Sequence, residues 1–254
     1  MQKYDFGEVI GWGAKGIVRR VTDRSSGAAL ACKMVRKKDF AVAEVVALRA
    51  MRGIPSVTQL IDVFEDDSHV HIVTELCTGG PLAVGPMPEA QAARDVVDLL
   101  SSLRSVHARG YVHRDVKPCN VMRSSDGLKL IDFGLATRLP VTDSGVRGTV
   151  LYMSPELFTS SCASASDVWA VGVTAAVLVT GEQPYDELTK AQVIRAIMTR
   201  PPRLVAGSDE YLDFVKFLLT RDPLRRPTAE EALAHPWLLS NTHMLPRLST
   251  SPSR

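Results

Sequence analysis

A chain of 254 residues, 45% hydrophobic and 23% charged, can bury a large core as one large domain or as two lobes. Its 30 Lys and Arg against 28 Asp and Glu leave a net charge of +2, so the totals give no strongly basic surface and no nucleic-acid partner is expected. Cys32, Cys77, Cys119 and Cys162 form neither CxxC pairs nor metal-ligand spacings with the six histidines, and the opening MQKYDFGEVI lacks a signal-peptide core. Free thiols in an intracellular protein, cytoplasmic or nuclear, are expected. The longest uncharged run, Val168 to Gly181, is too short to span a bilayer and reads as a buried helix, so no membrane partner is expected either.

Along the chain, short β-branched runs come first: Val9-Ile10, Ile17 to Val21, Ala28 to Met34, Val57 to Phe64 and Val70 to Thr74. Helix formers from Ala41 to Met51 interrupt them, which predicts a small sheet with one helix. Residues 78–88, TGGPLAVGPMP, carry the glycine and proline of a linker. A helix follows from Glu89, with Ala92, Val96, Leu99, Leu103 and Val106 at helical spacing and a stop at Gly110. Later segments are dominated by helix signals, among them an apolar stripe from Asp213 to Leu219 and a capping box beginning at Thr228. The Ser-, Thr- and Pro-rich tail from Ser240 is expected to be disordered.

The stretch GWGAKGIV places Gly11, Gly13 and Gly16 where backbone can approach a phosphate chain closely, since no Cβ intervenes. Taken alone it is equally a plain glycine-rich hairpin. A Rossmann turn fits poorly because Ile17 to Val21 continues as a strand, and no Gly-Lys-Ser/Thr follows to make a Walker loop. Lys33 lies on a strand after this hairpin, and Glu44 is the only glutamate between it and Glu65. An amine that holds phosphates gains from a carboxylate that fixes its direction. The loop HRDVKPCN then gathers His113, Arg114, Asp115, Lys117, Cys119 and Asn120 around a proline that forbids regular helix.

In sequence order, GWGAKGIV, the lysine of LACK, Glu44, HRDVKPCN, Asp132-Phe133-Gly134, Ser154-Pro155-Glu156, the segment DVWAVG from Asp167 and Arg226-Pro227-Thr228 resemble a eukaryotic protein kinase catalytic domain, over about Tyr4 to Leu239. The words ELCTGG and HPWL further resemble the calcium/calmodulin-dependent and plant calcium-dependent serine/threonine kinases. The resemblance implies an α+β bilobal fold. A small antiparallel sheet with one helix would occupy residues 1–76, a hinge and linker 77–88, a larger, mainly helical lobe 89–239 and a tail 240–254.

It also implies a serine/threonine protein kinase that uses ATP and Mg2+, acts on protein substrates and is a monomer. Asp115 would accept or orient the substrate hydroxyl proton, Lys117 would neutralise the transferring phosphoryl group, and Lys33 would hold phosphates. Asn120 and Asp132 would each hold a Mg2+. Gly11, Gly13, Gly16, Val18, Ala31, Lys33, Glu44, Glu75, Cys77, Asn120 and Asp132 would line the nucleotide site. His113, Phe133, Leu48 and Leu60 would form a packed stack anchored by Asp167, and Glu156 and Arg226 a buried ion pair.

The chain departs from the pattern in places. Lys15 stands where an aromatic usually caps the phosphates, and Lys33 and Glu44 are only eleven residues apart. Cys119 and Pro81 replace the acidic residues that bind an upstream arginine in many basophilic kinases, so arginine preference is not expected. Cys119 and Cys77 read as inert thiols. Arg114 invites ordering of the activation segment by an upstream kinase acting on Thr142 or Ser144, while Thr149 reads as structural or substrate-contacting. No EF-hand loop occurs, and direct calcium or calmodulin control is not expected. A second function class is a pseudokinase-like scaffold that binds nucleotide and a partner without turnover.

Overall fold

The β-branched runs of the first part of the chain fold as strands in the computed structural model, which describes residues 3–13, 16–141, 147–159 and 163–242. Strands β1 (Tyr4–Gly13), β2 (Gly16–Asp23) and β3 (Ala29–Arg36) lead into helix α1 (Val42–Ala50), then β4 (Leu60–Glu65) and β5 (His69–Glu75). They form one antiparallel sheet in the order β1-β2-β3-β5-β4. Cross-strand partners face the same side, so the register Gly11↔Val18, Val18↔Lys33 and Lys33↔Ile72 puts these residues on one face together. Cys32, Val73, Val21, Leu30 and Tyr4 pack a separate small core against Met34 and Phe64.

The expected strand Val57 to Phe64 begins later, at Leu60. Val57 is instead fully buried and bridges in parallel to Leu130, while Thr58 donates its backbone N–H to the carbonyl of Leu130 at 3.0 Å. The segment after α1 is therefore strapped to the far part of the molecule rather than to the sheet. The glycine- and proline-rich linker is paired too. Gly79 donates to the carbonyl of Arg123 and Leu82 to that of Val121, with Pro81 bridging Met122.

The second part opens with α2 (Glu89–Ala108) and continues through β6 (Tyr111–Val112), β7 (Val121–Ser124), β8 (Gly127–Leu130) and β9 (Thr137–Arg138) to helices α3 (Ser164–Thr180), α4 (Lys190–Thr199), α5 (Asp209–Leu218), α6 (Ala229–Leu233) and α7 (Pro236–Thr242). The result is the expected α+β bilobal architecture. Helix α3 is buried almost end to end, which its uncharged run from Val168 requires, and it stops at Gly181 in the left-handed region (φ 75°). At Gly172 an added Cβ would lie 2.9 Å from Leu218 and Leu219, so α5 rests directly on α3 there. Ser240 to Thr242, expected within a disordered tail, are helical in α7, which Trp237 and Leu238 anchor in the core. Among the described residues no helix is long and apolar enough to cross a membrane.

Glu156 and Arg226 pair at 2.6 and 3.0 Å with Arg226 fully buried, and the guanidinium lies over the Trp169 ring, 5.0 Å from its centroid. Removing one partner strands the other charge in the core. Arg226→Met is expected to cost about 3–5 kcal/mol in urea unfolding; a loss well under 1 kcal/mol would show that the pair is not a structural anchor.

Candidate active site

Lys33 leaves the middle of β3 on the face shared with Gly11 and Val18, and its ammonium is held between two carboxylates. Glu44 Oε1 on α1 accepts at 2.6 Å and Asp132 Oδ1, just after β8, at 2.8 Å. Burial alone would lower the lysine pKa, but the two carboxylates outweigh it and raise it. The same balance acts in reverse on Asp132, where burial opposes ionisation and Lys33 outweighs it, holding the carboxyl below its ordinary range. The short link from Lys33 to Glu44 does not prevent the pairing. A turn at 37–39 spans the gap, and α1 starts early enough to place Glu44 in its first turn.

Seventeen residues before Asp132 in the chain, Asp115 is braced on both oxygens. Its Oδ1 accepts from the Thr149 N–H at 3.1 Å and Thr149 Oγ1 at 2.9 Å, and its Oδ2 accepts from Lys117 Nζ at 2.7 Å and Asn120 Nδ2 at 3.0 Å. Lys117 also donates to Thr149 Oγ1 at 2.7 Å. Thr149, read from the sequence as structural or substrate-contacting, therefore closes the loop over Asp115. Asn120 and Asp132 leave the β7–β8 hairpin at the same end, where Val121 pairs with Leu130 and the Ile131 N–H donates to the Asn120 carbonyl at 2.9 Å.

Backbone strain marks both segments. Among the described residues, Arg114 (φ 69°) and Asp132 (φ 57°) are the non-glycine residues in the left-handed region, which costs energy unless the surroundings impose it. At Arg114 the imposing group is Asp167 on α3, whose buried carboxylate accepts from the N–H groups of His113 and Arg114 and faces His107 Nε2, each at 2.9 Å. Total burial would push this carboxyl up, yet His107 and the backbone donors hold it low. His113 meets Phe133 edge to face at 4.9 Å, and Phe133, Leu48 and the half-buried Leu60 belong to one hydrophobic core.

The glycines divide by role. A Cβ at Gly16 would lie 2.1 Å from the Met34 carbonyl, so the closeness of β2 and β3 demands glycine there regardless of any ligand. At Gly11 and Gly13 the nearest atoms are 3.8 and 3.7 Å away, leaving their backbone open to close approach. Ala31 follows Lys33's face at a spacing of two on β3 and is half-buried. Glu75 is different. Its carboxylate is bound by the buried Lys129 ammonium at 2.9 and 3.0 Å and by the Gln59 N–H at 2.8 Å, so only its backbone faces a ligand role. Lys129 was not singled out in the sequence, because its partner lies 54 residues away. Lys15, Thr142, Ser144 and Cys162 lie outside the described residues.

The donor set suits a hard cation. Asn120 turns its amide nitrogen to two Asp115 oxygens, the second being the carbonyl at 2.8 Å, which leaves its oxygen to face away from that carboxylate. Asp132 is ionised and offers a second oxygen beyond the one bonded to Lys33. Two such ligands match Mg2+, which keeps several waters and takes phosphate oxygens to complete its octahedron.

Comparison with known proteins gives a match to the protein kinase domain over residues 4–238. The chain is 36% identical over 215 residues to CDPK-related kinase 1 of Arabidopsis thaliana, covering 78% of this chain and 37% of that protein. It is 35% identical to serine/threonine-protein kinase PEPKR2 of the same plant (94% of this chain, 54% of that one) and 34% identical to calcium-dependent protein kinase 7 (97% and 50%). The chain thus spans roughly a third to a half of the length of these relatives.

Burial raises the pKa of the Cys119 thiol although its surface reaches solvent, and it pushes the fully buried Cys32 up to about 12. Neither is a thiolate near neutral pH. Iodoacetamide is expected to label Cys119 more slowly than free cysteine and to leave Cys32 untouched in the native protein. Rapid loss of the unmodified Cys119 peptide by mass spectrometry would show an activated thiol instead.

Proposed function

The chain belongs to the protein kinase family, and on that premise we propose that it transfers the γ-phosphate of ATP, with Mg2+, to serine or threonine hydroxyls of protein substrates. One observation carries the reading: the braced Asp115 and the Lys33–Asp132 pair flank the Asn120 amide, so acid, amine and amide converge on one place. We assign residues 1–76 to the smaller lobe, 77–88 to the hinge and linker and 89–239 to the larger lobe.

Phosphoryl transfer asks for positioning and for fixed cations near the charge that develops. In this reading Lys33 orients the phosphates, held in direction by Glu44, and Gly11 and Gly13 let backbone come close above them. Val18, Ala31 and the backbone at Glu75 and Cys77 wall the base. Asn120 and Asp132 would hold Mg2+, which when bound screens the phosphate charge. A carboxylate has about four lone-pair positions, and the four donors on Asp115 fill them, so an incoming hydroxyl must replace one. Lys117 is the donor with a second task, since the transferring phosphoryl group draws its ammonium away. Asp115 is then free to take the hydroxyl proton.

The scaffold reading has little left to support it. Lys33, Asp115, Lys117, Asn120 and Asp132 are all present, and the Lys33–Glu44 bond forms despite the short spacing. Cys119 and Pro81 stand where many basophilic kinases carry carboxylates, and Cys119 lies close to Tyr152, which accepts from Gln183 Nε2 at 3.1 Å, so these positions offer an upstream arginine no carboxylate. An upstream kinase acting on Thr142 or Ser144 stays part of the proposal.

With radiolabelled ATP and a protein acceptor, wild type is expected to transfer phosphate, and Asp115→Ala and Asp132→Asn to lose about a hundredfold or more. Equal background in all three would leave only the scaffold. On paired peptides, replacing an arginine upstream of the acceptor by alanine is expected to change kcat/KM by less than about threefold, because no carboxylate partner is lost; a tenfold preference for arginine would refute the neutral groove.

A further inference from the structure

Helix α1 carries Glu44 to the cleft with little help from its own sequence. It is nine residues long, shorter than the roughly 12–15 at which an isolated helix becomes marginal in water. Its N-cap is Ala41, which offers no side-chain acceptor to the free N–H groups of the first turn. The other end is treated differently. Arg109, immediately after α2 in the larger lobe, donates Nη1 to the carbonyl of Ala50, and it lies 3.3 Å from that of Arg52. A guanidinium there satisfies carbonyls that the helix leaves open and opposes the negative end of its dipole. The backbone of Arg109 is fixed, since its N–H donates to the Val106 carbonyl at the closed end of α2.

What this grip controls is distance. Glu44 reaches Lys33 at 2.6 Å, and a hydrogen bond of this kind is gone by about 3.5 Å, so an axial slip of roughly one ångström in α1 is enough to release the lysine. Val45, Ala47, Leu48 and Met51 bury one face of the helix, which keeps it helical and docked. Apolar packing resists sliding weakly because it is non-directional; hydrogen bonds at the helix end resist it strongly.

We propose that Arg109 is a positioning residue: by holding the C-terminal end of α1 from the opposite lobe, it sets the reach of Glu44 and through it the direction of Lys33. The inference rests on the kinase reading above. Arg109 is exposed, and its side-chain hydrogen bonds go to the carbonyls of Ala50 and Arg52, so the effect proposed for it runs through α1.

The test compares wild type, Arg109→Ala, Arg109→Lys, Glu44→Gln and the Arg109→Ala/Glu44→Gln pair. Arg109→Ala is expected to lower kcat about fivefold or more with the peptide KM unchanged, and Arg109→Lys, whose ammonium can also donate to a carbonyl, to keep most of it. In the Glu44→Gln background the Arg109 change should cost nothing further, because the link it acts through is already cut. Hydrogen exchange at the amides of residues 48–51 should speed up about tenfold in Arg109→Ala, with the melting temperature moved by less than about 3 °C. Unchanged kcat, additive losses in the double variant or unchanged exchange would each overturn the proposal. If wild type itself transfers no phosphate, the kinase reading fails, and the exchange measurement still decides whether Arg109 holds α1.

Discussion

The ammonium of Lys33 is the point on which the site depends. A buried charge is tolerated only when paired and hydrogen-bonded, and here one cation has two carboxylate partners from opposite sides of the cleft, Glu44 and Asp132. That arrangement welds α1 to the segment after β8 through a strand of the sheet, so none of the three moves without disturbing the others. It also leaves an imbalance. Among these ion-paired side chains, Lys33 and Lys117 against Glu44, Asp115 and Asp132, the formal charges sum to one negative. In the proposed reading, a polyphosphate bound there calls for a metal cation as well, for which Asn120 and Asp132 would supply oxygen ligands.

Asp167 plays the corresponding part within the larger lobe. It is buried on the most apolar helix of the chain, yet three donors converge on its two oxygens. The backbone at Arg114 is thereby held in a conformation that an arginine would not choose, and this bend aims Asp115 at Thr149 and Asn120 while His113 turns back toward Phe133. The strain at Arg114 and Asp132 is thus local to the residues next to the chemistry. The groups that impose it, Asp167 and Lys33, sit in rigid elements on either side.

Much of this was legible from residue order because each feature had a local signal. The strands had β-branched runs, α2 had helical spacing and a glycine stop, α3 had its uncharged run, and α6 had a capping box that the structure contains as read. Helix α4 was not singled out, although Thr189 and Gln192 form the same kind of box and Val193, Ala196 and Ile197 follow it at helical spacing. The pairings β6–β9 and β7–β8 involve strands of two and four residues, too short to carry a period. The attachment of Val57 to Leu130 and of Lys129 to Glu75 depends on contacts across the fold and has no trace in neighbouring residues. Gly16 shows a subtler limit. The motif was read as phosphate-approaching, whereas at this one of its glycines the neighbouring strand alone excludes a side chain.

The capping boxes explain one further choice in the sequence. In α4 and α6 the third helical residue, Gln192 or Glu231, folds back to the backbone N–H of its own N-cap, Thr189 or Thr228, whose hydroxyl completes the box. Glu44 occupies the same third position of α1. A serine or threonine at position 41 would supply the other half of a box and draw that carboxylate toward the start of its own helix. Alanine there supplies nothing, and Glu44 extends across to Lys33 instead. The helix gives up a cap worth about 1 kcal/mol, and the same side chain is left available to direct the amine. α1 therefore lacks a side-chain cap at the end that serves the cleft, and it is held from outside at the other.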